Sequence, residues 1–460
     1  MRASILHSCW FLIFLGAMTG CAAPESTGRR STLEALIEQH ADDRVQVSVL
    51  ARSLHSGSTL YSRLPRNLVR PASTMKLVTT IAVLLRRPDL EPVTRFSVSA
   101  NGKVLRIIGG GDPMLSQEDL VRIASELRTS GVQGLRQILY EDPMRGRPRF
   151  GQGWMWDDEP GAFMPHLSGL TVDAATVTAV ARRDADGLRI AVSPHSHHTP
   201  VVRVKNDGPL RISRDWRQGK AAIRVTGTLP VGQTVRRTLS VPDPARHVAE
   251  VMKTVVQSAG LGTDIHVEPW SARPWKTSVE RVVRRDLDAL LARANKPSDN
   301  LTAELLLRHL GGSTERPLGT AADGHLVVED VLRELRISAD EYRLADGSGV
   351  SHYNLISADL LVRLLTEAWT RGGPTRARLL ESLSVAGKDG TLAHRLTGTV
   401  AAGDVHAKTG TMSAVSSIAG YANIGSEPFA FAIMIQNFTG SAKPWRDLQD
   451  RLLLELIVPD

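Results

Sequence analysis

The chain has 460 residues, more than one compact core usually holds, so the length predicts two or three domains. A hydrophobic fraction of 42% and a charged fraction of 23% are typical of a globular protein. The formal net charge of +8 would suit anionic polymers or lipid head groups, but it is better explained by arginines scattered over solvated faces. No basic stripe interleaved with aromatic residues is present, so we expect no nucleic-acid partner.

The amino terminus has the pattern of an export signal. Met1-Arg2 gives a weak positive start, residues 10–15 form an apolar run, and Gly20 precedes Cys21. The run is too short to span a bilayer stably. Residues 1–21 resemble a bacterial lipoprotein signal in which Cys21 receives lipid, although a plain signal cut elsewhere would also fit. Residues 22–30 are predicted to be a polar tether, and the mature chain would have one cysteine and no intramolecular disulfide.

The first predicted elements after the tether lead to a serine. Residues 31–40 begin with the capping-box pattern Ser31 to Glu34 and are predicted to form a helix. The alternation at 45–49 predicts a strand. An apolar helix is then predicted to begin at Ser73.

The long stretch after this helix is sufficient for additional domains. We predict an inserted domain formed by 88–167 and 243–283. A small β-rich domain is predicted to be nested at 168–242, where alternating segments are typical of strands. The main domain would then be split between 31–87 and 284–460.

The last part of the chain is predicted to combine helices with a group of adjacent strands. The predicted elements are helices at 284–307, 327–335 and 358–370, strands at 405–411, 416–422 and 429–436, and a carboxy-terminal helix with Trp445, Leu448, Leu452 and Leu456 on one face.

Three short motifs stand in one order along these elements: Ser73-Thr74-Met75-Lys76, Ser298-Asp299-Asn300 and Lys408-Thr409-Gly410. Serine is a poor nucleophile until a base takes its proton. Positions i and i+3 of a helix share a face, so Lys76 would lie beside the Ser73 hydroxyl. Burial and a neighbouring cation, expected to be Lys408, would lower the pKa of Lys76 enough for it to act as this base.

The second motif would supply partners for this pair. Ser298 could relay a proton to the leaving amine, and Asn300 could hold Lys76 and the peptide carbonyl of the substrate. The same residues are also typical of a helix cap, and both roles are compatible.

The third motif is predicted to form one side of a cleft. Lys408 and Thr409 suit a substrate carboxylate by charge and hydrogen bond, whereas a lone Lys-Thr-Gly would indicate only a β-turn. Gly410 would permit close approach of the substrate backbone. The backbone N–H groups of Ser73 and Thr411 would form an oxyanion hole.

The three motifs occur together in β-lactamases and penicillin-binding proteins. Four further segments accompany them: Asp346-Gly347-Ser348-Gly349-Val350-Ser351, Ala386-Gly387-Lys388-Asp389-Gly390-Thr391-Leu392, Gly110-Gly111-Asp112-Pro113 and Gly153-Trp154-Met155-Trp156-Asp157-Asp158. With them, nearly the whole mature chain resembles the D-alanyl-D-alanine carboxypeptidase/endopeptidase family, the class C low-molecular-mass penicillin-binding proteins. The resemblance implies an α/β (α+β) fold, in which a β-lactamase/DD-peptidase-like antiparallel sheet has flanking helices and a helical subdomain. Two nested domains would be inserted after the Ser73 helix.

The resemblance also implies an activity. Terminal D-Ala would be removed from peptidoglycan peptides, D-Ala–diaminopimelate crosslinks would be cleaved, and penicillins would acylate the enzyme. Ser73 would be the nucleophile and Lys76 its base, without a cofactor or a metal. The implied partners are peptidoglycan peptides, β-lactam antibiotics and, through Cys21, a membrane of the periplasm or cell envelope. Positions that match the family's pocket for the substrate side chain are Asp158 (or Asp157), Phe163 and Arg395.

Other functions could use the same motifs. A class A β-lactamase needs a glutamate in an E-x-x-L-N loop after the second motif, and the nearest candidate, Glu334 to Ser338, lacks the asparagine. An esterase of this fold would explain neither Lys408-Thr409-Gly410 nor the large insertion. A non-catalytic wall-binding lipoprotein would not need the intact Ser73 and Lys76.

Two further segments are interpreted as structural. The glycine run at 109–111 ends a predicted strand, but no Gly-Lys-Ser/Thr follows, so a turn is favoured over a phosphate-binding loop. His195, His197 and His198 cluster in a segment without a nearby carboxylate, so a surface loop is favoured over a metal site.

Overall fold

A computed structural model of the chain describes residues 27–458. The α-helices of this part, in chain order, are α1 (Thr27–His40), α2 (Met75–Arg86), α3 (Gln117–Thr129), α4 (Pro244–Ser258), α5 (Leu287–Asn295), α6 (Asn300–Leu310), α7 (Ala321–Glu334), α8 (Ala358–Arg371), α9 (Gly373–Ser382) and α10 (Lys443–Ile457).

The strands of the same part form four sheets. In chain order they are β1 (Gln46–Ser53), β2 (Thr59–Arg63), β3 (Val93–Ser99), β4 (Val104–Ile108), β5 (Gln137–Glu141), β6 (Thr176–Asp184), β7 (Gly187–Ser193), β8 (Val201–Pro209), β9 (Arg211–Arg214), β10 (Ile223–Thr228), β11 (Thr234–Ser240), β12 (His266–Pro269), β13 (Thr277–Arg284), β14 (Ser384–Val385), β15 (His406–Met412), β16 (Val415–Ala422) and β17 (Phe429–Gln436).

The main sheet is antiparallel and joins the two ends of the described chain. Its strand order is β14-β15-β16-β17-β1-β2, so β1 pairs with β17 although they are far apart in sequence. Every residue of β17 is buried because helices cover both faces of the sheet. Side chains alternate between the two faces of a strand. Phe431 and Ile433 therefore pack in the core with α1 and α10, whereas Ala432 and Met434 pack in the core with α2 and α8.

The second face of this sheet carries the helical subdomain. Helices α2 and α5–α9 contribute its apolar core, in which Leu77, Ile81 and Leu364 are fully buried. The amphipathic pattern of these helices explains why they gather on one side of the sheet. Helix α2 lies among them, so the residues at its amino terminus are held between the helical core and β15.

The long insertion contains the other three sheets. A five-stranded sheet of order β12-β5-β4-β3-β13 packs with α3 and α4, and it takes strands from both sides of the predicted nested region. Between those strands lie two three-stranded sheets, β11-β6-β7 and β8-β10-β9, which share a small apolar core. The domain boundaries predicted at 168 and 242 stay predictions, and the glycine run at 109–111 follows β4 as expected.

Three predicted helix starts differ from the structure. The helix predicted at 327–335 is α7, which begins at Ala321 because the Thr320 side chain caps it there. Helix α1 already begins at Thr27, inside the predicted tether, and the Ser31 hydroxyl donates to the Gly28 carbonyl instead of capping a helix. The reason is tertiary, since the apolar side of α1 packs against α10. The helix predicted from 284 instead starts at Leu287, because β13 continues to Arg284. No helix within residues 27–458 is long and apolar enough to cross a membrane.

Candidate active site

Ser73 and Lys76 meet at the start of α2. A 3₁₀ turn, Ala72–Thr74, leads into this helix and presents Ser73 half-buried at the mouth of a cleft. Lys76 is fully buried, with its Nζ 3.0 Å from Ser73 Oγ. Ala72 has a φ of +48°, a conformation that costs a non-glycine residue free energy and that is common at active sites. The predicted serine–lysine pair is therefore formed.

Besides the serine hydroxyl, two oxygen atoms lie within hydrogen-bond distance of the Lys76 amine. Asn300 Oδ1 and the Ser348 carbonyl oxygen each lie 2.7 Å from Lys76 Nζ. The orientation of the Asn300 amide is fixed because its Nδ2 donates to the Phe163 carbonyl at 2.6 Å. Lys76 Nζ thus has three partners, of which only the Ser73 hydroxyl can also act as a donor.

Burial lowers the pKa of Lys76 to about 8, against the opposing charges of Asp346, Asp299 and Glu304. Desolvation is the largest cause of the shift in the pKa of Lys76. Burial also lowers the pKa of Lys408 well below its usual value, and the charge of Lys76 lowers it further. Repulsion between two cations is mutual, so the predicted contribution of the Lys408 charge to the pKa of Lys76 stays a prediction.

The second motif forms the predicted helix cap, and its Ser298 and Asn300 contact the two buried lysines. Asp299 is the N-cap of α6 and accepts from the Thr302 N–H at 2.8 Å. Ser298, just before the cap, has a φ of +65°, and its Oγ lies 2.9 Å from Lys408 Nζ. Asn300 begins the helix and contacts Lys76. The cap therefore positions the two polar side chains on either side of it.

The third motif lies on β15. Lys408 is fully buried, and the Thr409 hydroxyl donates to Thr391 Oγ1 at 2.8 Å. A Cβ atom at Gly410 would lie 2.3 Å from Ser417 Oγ and 2.8 Å from Ser73 N. The glycine thus permits close approach of the protein's own backbone around the nucleophile. The predicted close approach of the substrate backbone stays a prediction.

One open cleft of about 640 Å³ is lined by Ser73, Ser298, Asn300 and Thr411, the residue after the third motif. Asp158, Asp157 and Phe163 also line it, as predicted from the resemblance. Burial and the charge of Asp157 raise the pKa of Asp158. The lining residues are Ser73, Met155, Asp157, Asp158, Phe163, Ser298, Asn300, Gly349, Val350, His352, Thr411, Met412 and Ser413.

Arg395 is not brought to this cleft. Its guanidinium pairs with Asp450 at 2.6 Å and donates to Gln449 at 3.2 Å, both on α10. The expectation that Arg395 lines the pocket is thus not met, because its charge is already neutralised against the carboxy-terminal helix.

Asp346 and Glu304 are buried carboxylates for which the sequence suggested no role. Asp346 accepts from the backbone of Gly349 and Ser351 and from Trp154 Nε1, at 2.7–2.8 Å. Glu304, one turn after Asn300 on α6, accepts from the backbone N–H of Gly347 and Ser348. Together they shape the 346–351 loop that supplies the Ser348 carbonyl. Two sequence features could have indicated these roles. They are the Asp-Gly-Ser-Gly segment that begins at Asp346 and the i, i+4 spacing of Glu304 and Arg308 on a helix.

The histidine cluster lies away from the cleft. His195 and His197 pack edge to face, with ring centroids 6.1 Å apart, and His198 Nε2 lies 3.2 Å from the Pro242 carbonyl. Within residues 27–458, no group of three or more His, Cys, Asp or Glu side chains is arranged to hold a metal ion.

The main sheet, the helical subdomain and the serine–lysine site define a serine acyl-transfer enzyme. A family model described as the D-Ala-D-Ala carboxypeptidase 3 (S13) family matches residues 30–453, so the chain belongs to this family. It is a serine-type D-Ala-D-Ala carboxypeptidase, and the family and the enzyme class predicted above are confirmed.

Individual relatives agree with this assignment. The D-alanyl-D-alanine carboxypeptidase of Actinomadura sp. is 31% identical over 461 residues, which cover 93% of this chain and 84% of the relative. The structure is similar to that of penicillin binding protein 4 from Haemophilus influenzae, with a TM-score of 0.79 and 21% identity over 92% of this chain and 99% of the other. This likeness confirms the predicted fold class. The Haemophilus influenzae protein has also been solved with a β-lactam bound (TM-score 0.74, 20% identity, covering 92% of this chain and 99% of the other).

Proposed function

We propose that the enzyme cleaves peptidoglycan stem peptides through an acyl-enzyme on Ser73, as a carboxypeptidase and as a DD-endopeptidase, and that penicillins acylate the same serine. The observation that carries this proposal is the geometry around Lys76 Nζ, which lies 3.0 Å from Ser73 Oγ and 2.7 Å from two carbonyl oxygens.

A neutral lysine amine has two N–H bonds and one lone pair. The oxygens of Asn300 and Ser348 only accept hydrogen bonds, so they take both N–H bonds. The lone pair then points at the Ser73 hydroxyl, which donates to it. Neutral Lys76 is thereby prepared to act as a general base, and its pKa of about 8 makes the neutral form accessible near neutral pH.

Acylation would then proceed in three steps: nucleophilic attack, stabilisation of the oxyanion and protonation of the leaving amine. Lys76 takes the proton of Ser73, and the serine oxygen attacks the carbonyl between the two D-Ala residues. The backbone N–H groups of Ser73 and Thr411 stabilise the oxyanion. As the C–N bond breaks, Ser298 gives its hydroxyl proton to the leaving amine, and the proton that Lys76 took from Ser73 replaces it. Lys408 Nζ, 2.9 Å from Ser298 Oγ, holds the Ser298 hydroxyl in place for this transfer.

Lys408 and Thr409 would bind the terminal carboxylate of the substrate. An arriving anion favours the charged form of Lys408, which burial disfavours in the free enzyme. Water then hydrolyses the ester and releases the shortened peptide. Endopeptidase action follows the same steps with a second peptide on the leaving amine, for which the open cleft of about 640 Å³ has room.

Benzylpenicillin and intact-protein mass spectrometry test this function. We expect a lasting adduct of one penicillin per chain that disappears in Ser73→Ala, together with release of D-Ala from a peptide ending in D-Ala-D-Ala. Rapid turnover of penicillin without an adduct would instead indicate a β-lactamase. A protein with neither an adduct nor any turnover would be a wall-binding protein with a silent site.

We also propose that the enzyme is exported to the cell envelope and anchored there by lipid on Cys21. That residue and the rest of the signal lie outside the described residues, so the support is the sequence pattern alone. Cell fractionation tests the anchor. The wild type should be recovered with membranes and Cys21→Ala should not, and a wild type released in free form would contradict the proposal.

A further inference from the structure

One wall of the cleft is a short irregular segment, residues 155–163, here called the wall segment. Met155, Asp157, Asp158 and Phe163 of this segment line the cleft. Its carboxyl end is held at the catalytic motifs, because the Phe163 carbonyl accepts from Asn300 Nδ2 at 2.6 Å. The segment contains only a single 3₁₀ turn, Trp156–Asp158, so its position depends on what it contacts.

The other support of the wall segment comes from the two three-stranded sheets, β11-β6-β7 and β8-β10-β9, here called the nested sheets. Glu159, the residue after Asp158, forms an ion pair and a hydrogen bond with Arg214 at the end of β9. The Arg214 side chain is 1% exposed and the Glu159 side chain 9%. Arg214 also donates to the Lys220 carbonyl at 3.2 Å and to Ser240 Oγ at 3.3 Å. Its guanidinium is thus fixed within the nested sheets.

Three more contacts join the wall segment to the same two sheets. The Ser240 N–H on β11 donates to the Pro160 carbonyl at 3.0 Å, and an antiparallel bridge pairs Gly161 with Leu239. The ring of Trp156 packs against that of Trp216, with centroids 5.0 Å apart. The wall segment therefore extends the edge of β11 and is attached to β9 by a buried charge pair.

Of these contacts, the Arg214–Glu159 ion pair is the one whose loss would displace the wall segment most. Removing one partner of a buried ion pair leaves an uncompensated charge in the interior, and the remaining group moves or takes up water. Consecutive Cα atoms are about 3.8 Å apart, so a displacement of Glu159 carries Asp158 with it. His166 Nε2, 2.8 Å from Glu159, would be the only described side chain left beside the carboxylate.

We infer that Arg214 is a positioning residue for substrate specificity, which acts through Glu159 to hold Asp158 against the substrate side chain. The inference rests on the function proposed above. It implies that the nested sheets, through Arg214, contribute to substrate specificity. Because Asp158 is a carboxylate, the substrates that depend on Arg214 are those whose side chain before D-Ala-D-Ala bears a cationic amine.

The test uses two peptides ending in D-Ala-D-Ala that differ in the preceding residue, either lysine or Nε-acetyl-lysine. The wild type should prefer lysine. Arg214→Gln should lower kcat/KM for the lysine peptide by about tenfold, mainly through KM, and for the acetylated peptide by less than about threefold. Acylation by benzylpenicillin should stay near the wild-type rate. The matched control is Arg106→Gln, which breaks a partly buried Arg106–Glu141 ion pair in the five-stranded sheet.

Equal loss for both peptides, no loss for either, or a wild type without preference would each overturn the inference. A wild type that hydrolyses neither peptide and forms no penicillin adduct would instead overturn the proposed function. If Arg214→Gln does not fold, the pair Arg214→Met with Glu159→Gln leaves no buried charge unpaired and should show the same loss of preference. In an Asp158→Asn background, Arg214→Gln should no longer change the preference, and an undiminished effect would contradict action through Asp158.

Discussion

Glu304 and Ser348 are joined by a hydrogen bond of 3.0 Å between a fully buried carboxylate and a backbone N–H group. The carbonyl of the same Ser348 accepts from Lys76 Nζ at 2.7 Å. Glu304 therefore helps to orient the amine, although it touches neither Ser73 nor the cleft. Burial and the charge of Asp346 raise the pKa of Glu304, and its ion pair with Arg308 opposes this effect.

Glu304→Gln is expected to destabilise the protein and slow acylation together. The variant leaves Arg308 buried without its counter-charge, which typically costs about 3–5 kcal/mol of the free energy of unfolding. The rate of benzylpenicillin acylation should fall by about tenfold, because the Ser348 carbonyl loses a fixed position. Urea unfolding and adduct formation measure the two effects. Asp330→Asn, which breaks an exposed ion pair with Arg333, is the control and should change neither quantity.

The acylation rate should depend on pH through Lys76. Its pKa is lowered to about 8, and the neutral amine is the reactive form. The rate should therefore fall about tenfold for each pH unit below that value and level off above it. Adduct formation timed across this range gives the profile, provided that enzyme returned to pH 8 recovers its activity. Lys76→Arg should be inactive, since a guanidinium stays charged. A flat profile would exclude Lys76 as the base.

Lys408→Met tests carboxylate recognition. A charge-assisted hydrogen bond contributes about 1.5–3 kcal/mol, so kcat/KM for a peptide with a free terminal carboxylate should fall by about 10- to 100-fold. The same peptide with a terminal carboxamide should lose much less. Methionine has a similar volume and removes a fully buried amine, so stability should change by less than about 1.5 kcal/mol. Equal losses for both peptides would assign Lys408 to proton transfer alone.

Gly410→Ala should disable the nucleophile without removing any functional group. The added Cβ would lie 2.8 Å from Ser73 N and 2.3 Å from Ser417 Oγ, so β15 or the 3₁₀ turn must shift. A misplacement of about 1 Å can cost about 10²-fold in rate, and we expect a loss of this size in penicillin acylation. Gly425→Ala is the control, because its Cβ meets nothing within 4 Å. Wild-type acylation in Gly410→Ala would show that the turn adapts.

Much of the fold and the site was predictable from local patterns. The strands predicted at 405–411, 416–422 and 429–436 lie within one residue of β15, β16 and β17, because alternation and β-branched residues are local signals. The start of α1 was predicted wrongly, since packing against α10 extends it past the capping pattern at Ser31. Arg395 was likewise assigned to the pocket, although Asp450, distant in sequence, neutralises it.

The sequence by itself determined the chemistry of this protein. The order of the three motifs and the i, i+3 spacing of Ser73 and Lys76 identify a serine nucleophile with a lysine base, because helix geometry alone places them together. The tertiary structure alone decided how that lysine becomes a base. Its burial, the two carbonyl oxygens around Nζ and the carboxylates behind them come from segments hundreds of residues away. Desolvation and hydrogen-bond direction depend on three-dimensional surroundings, which no local pattern specifies.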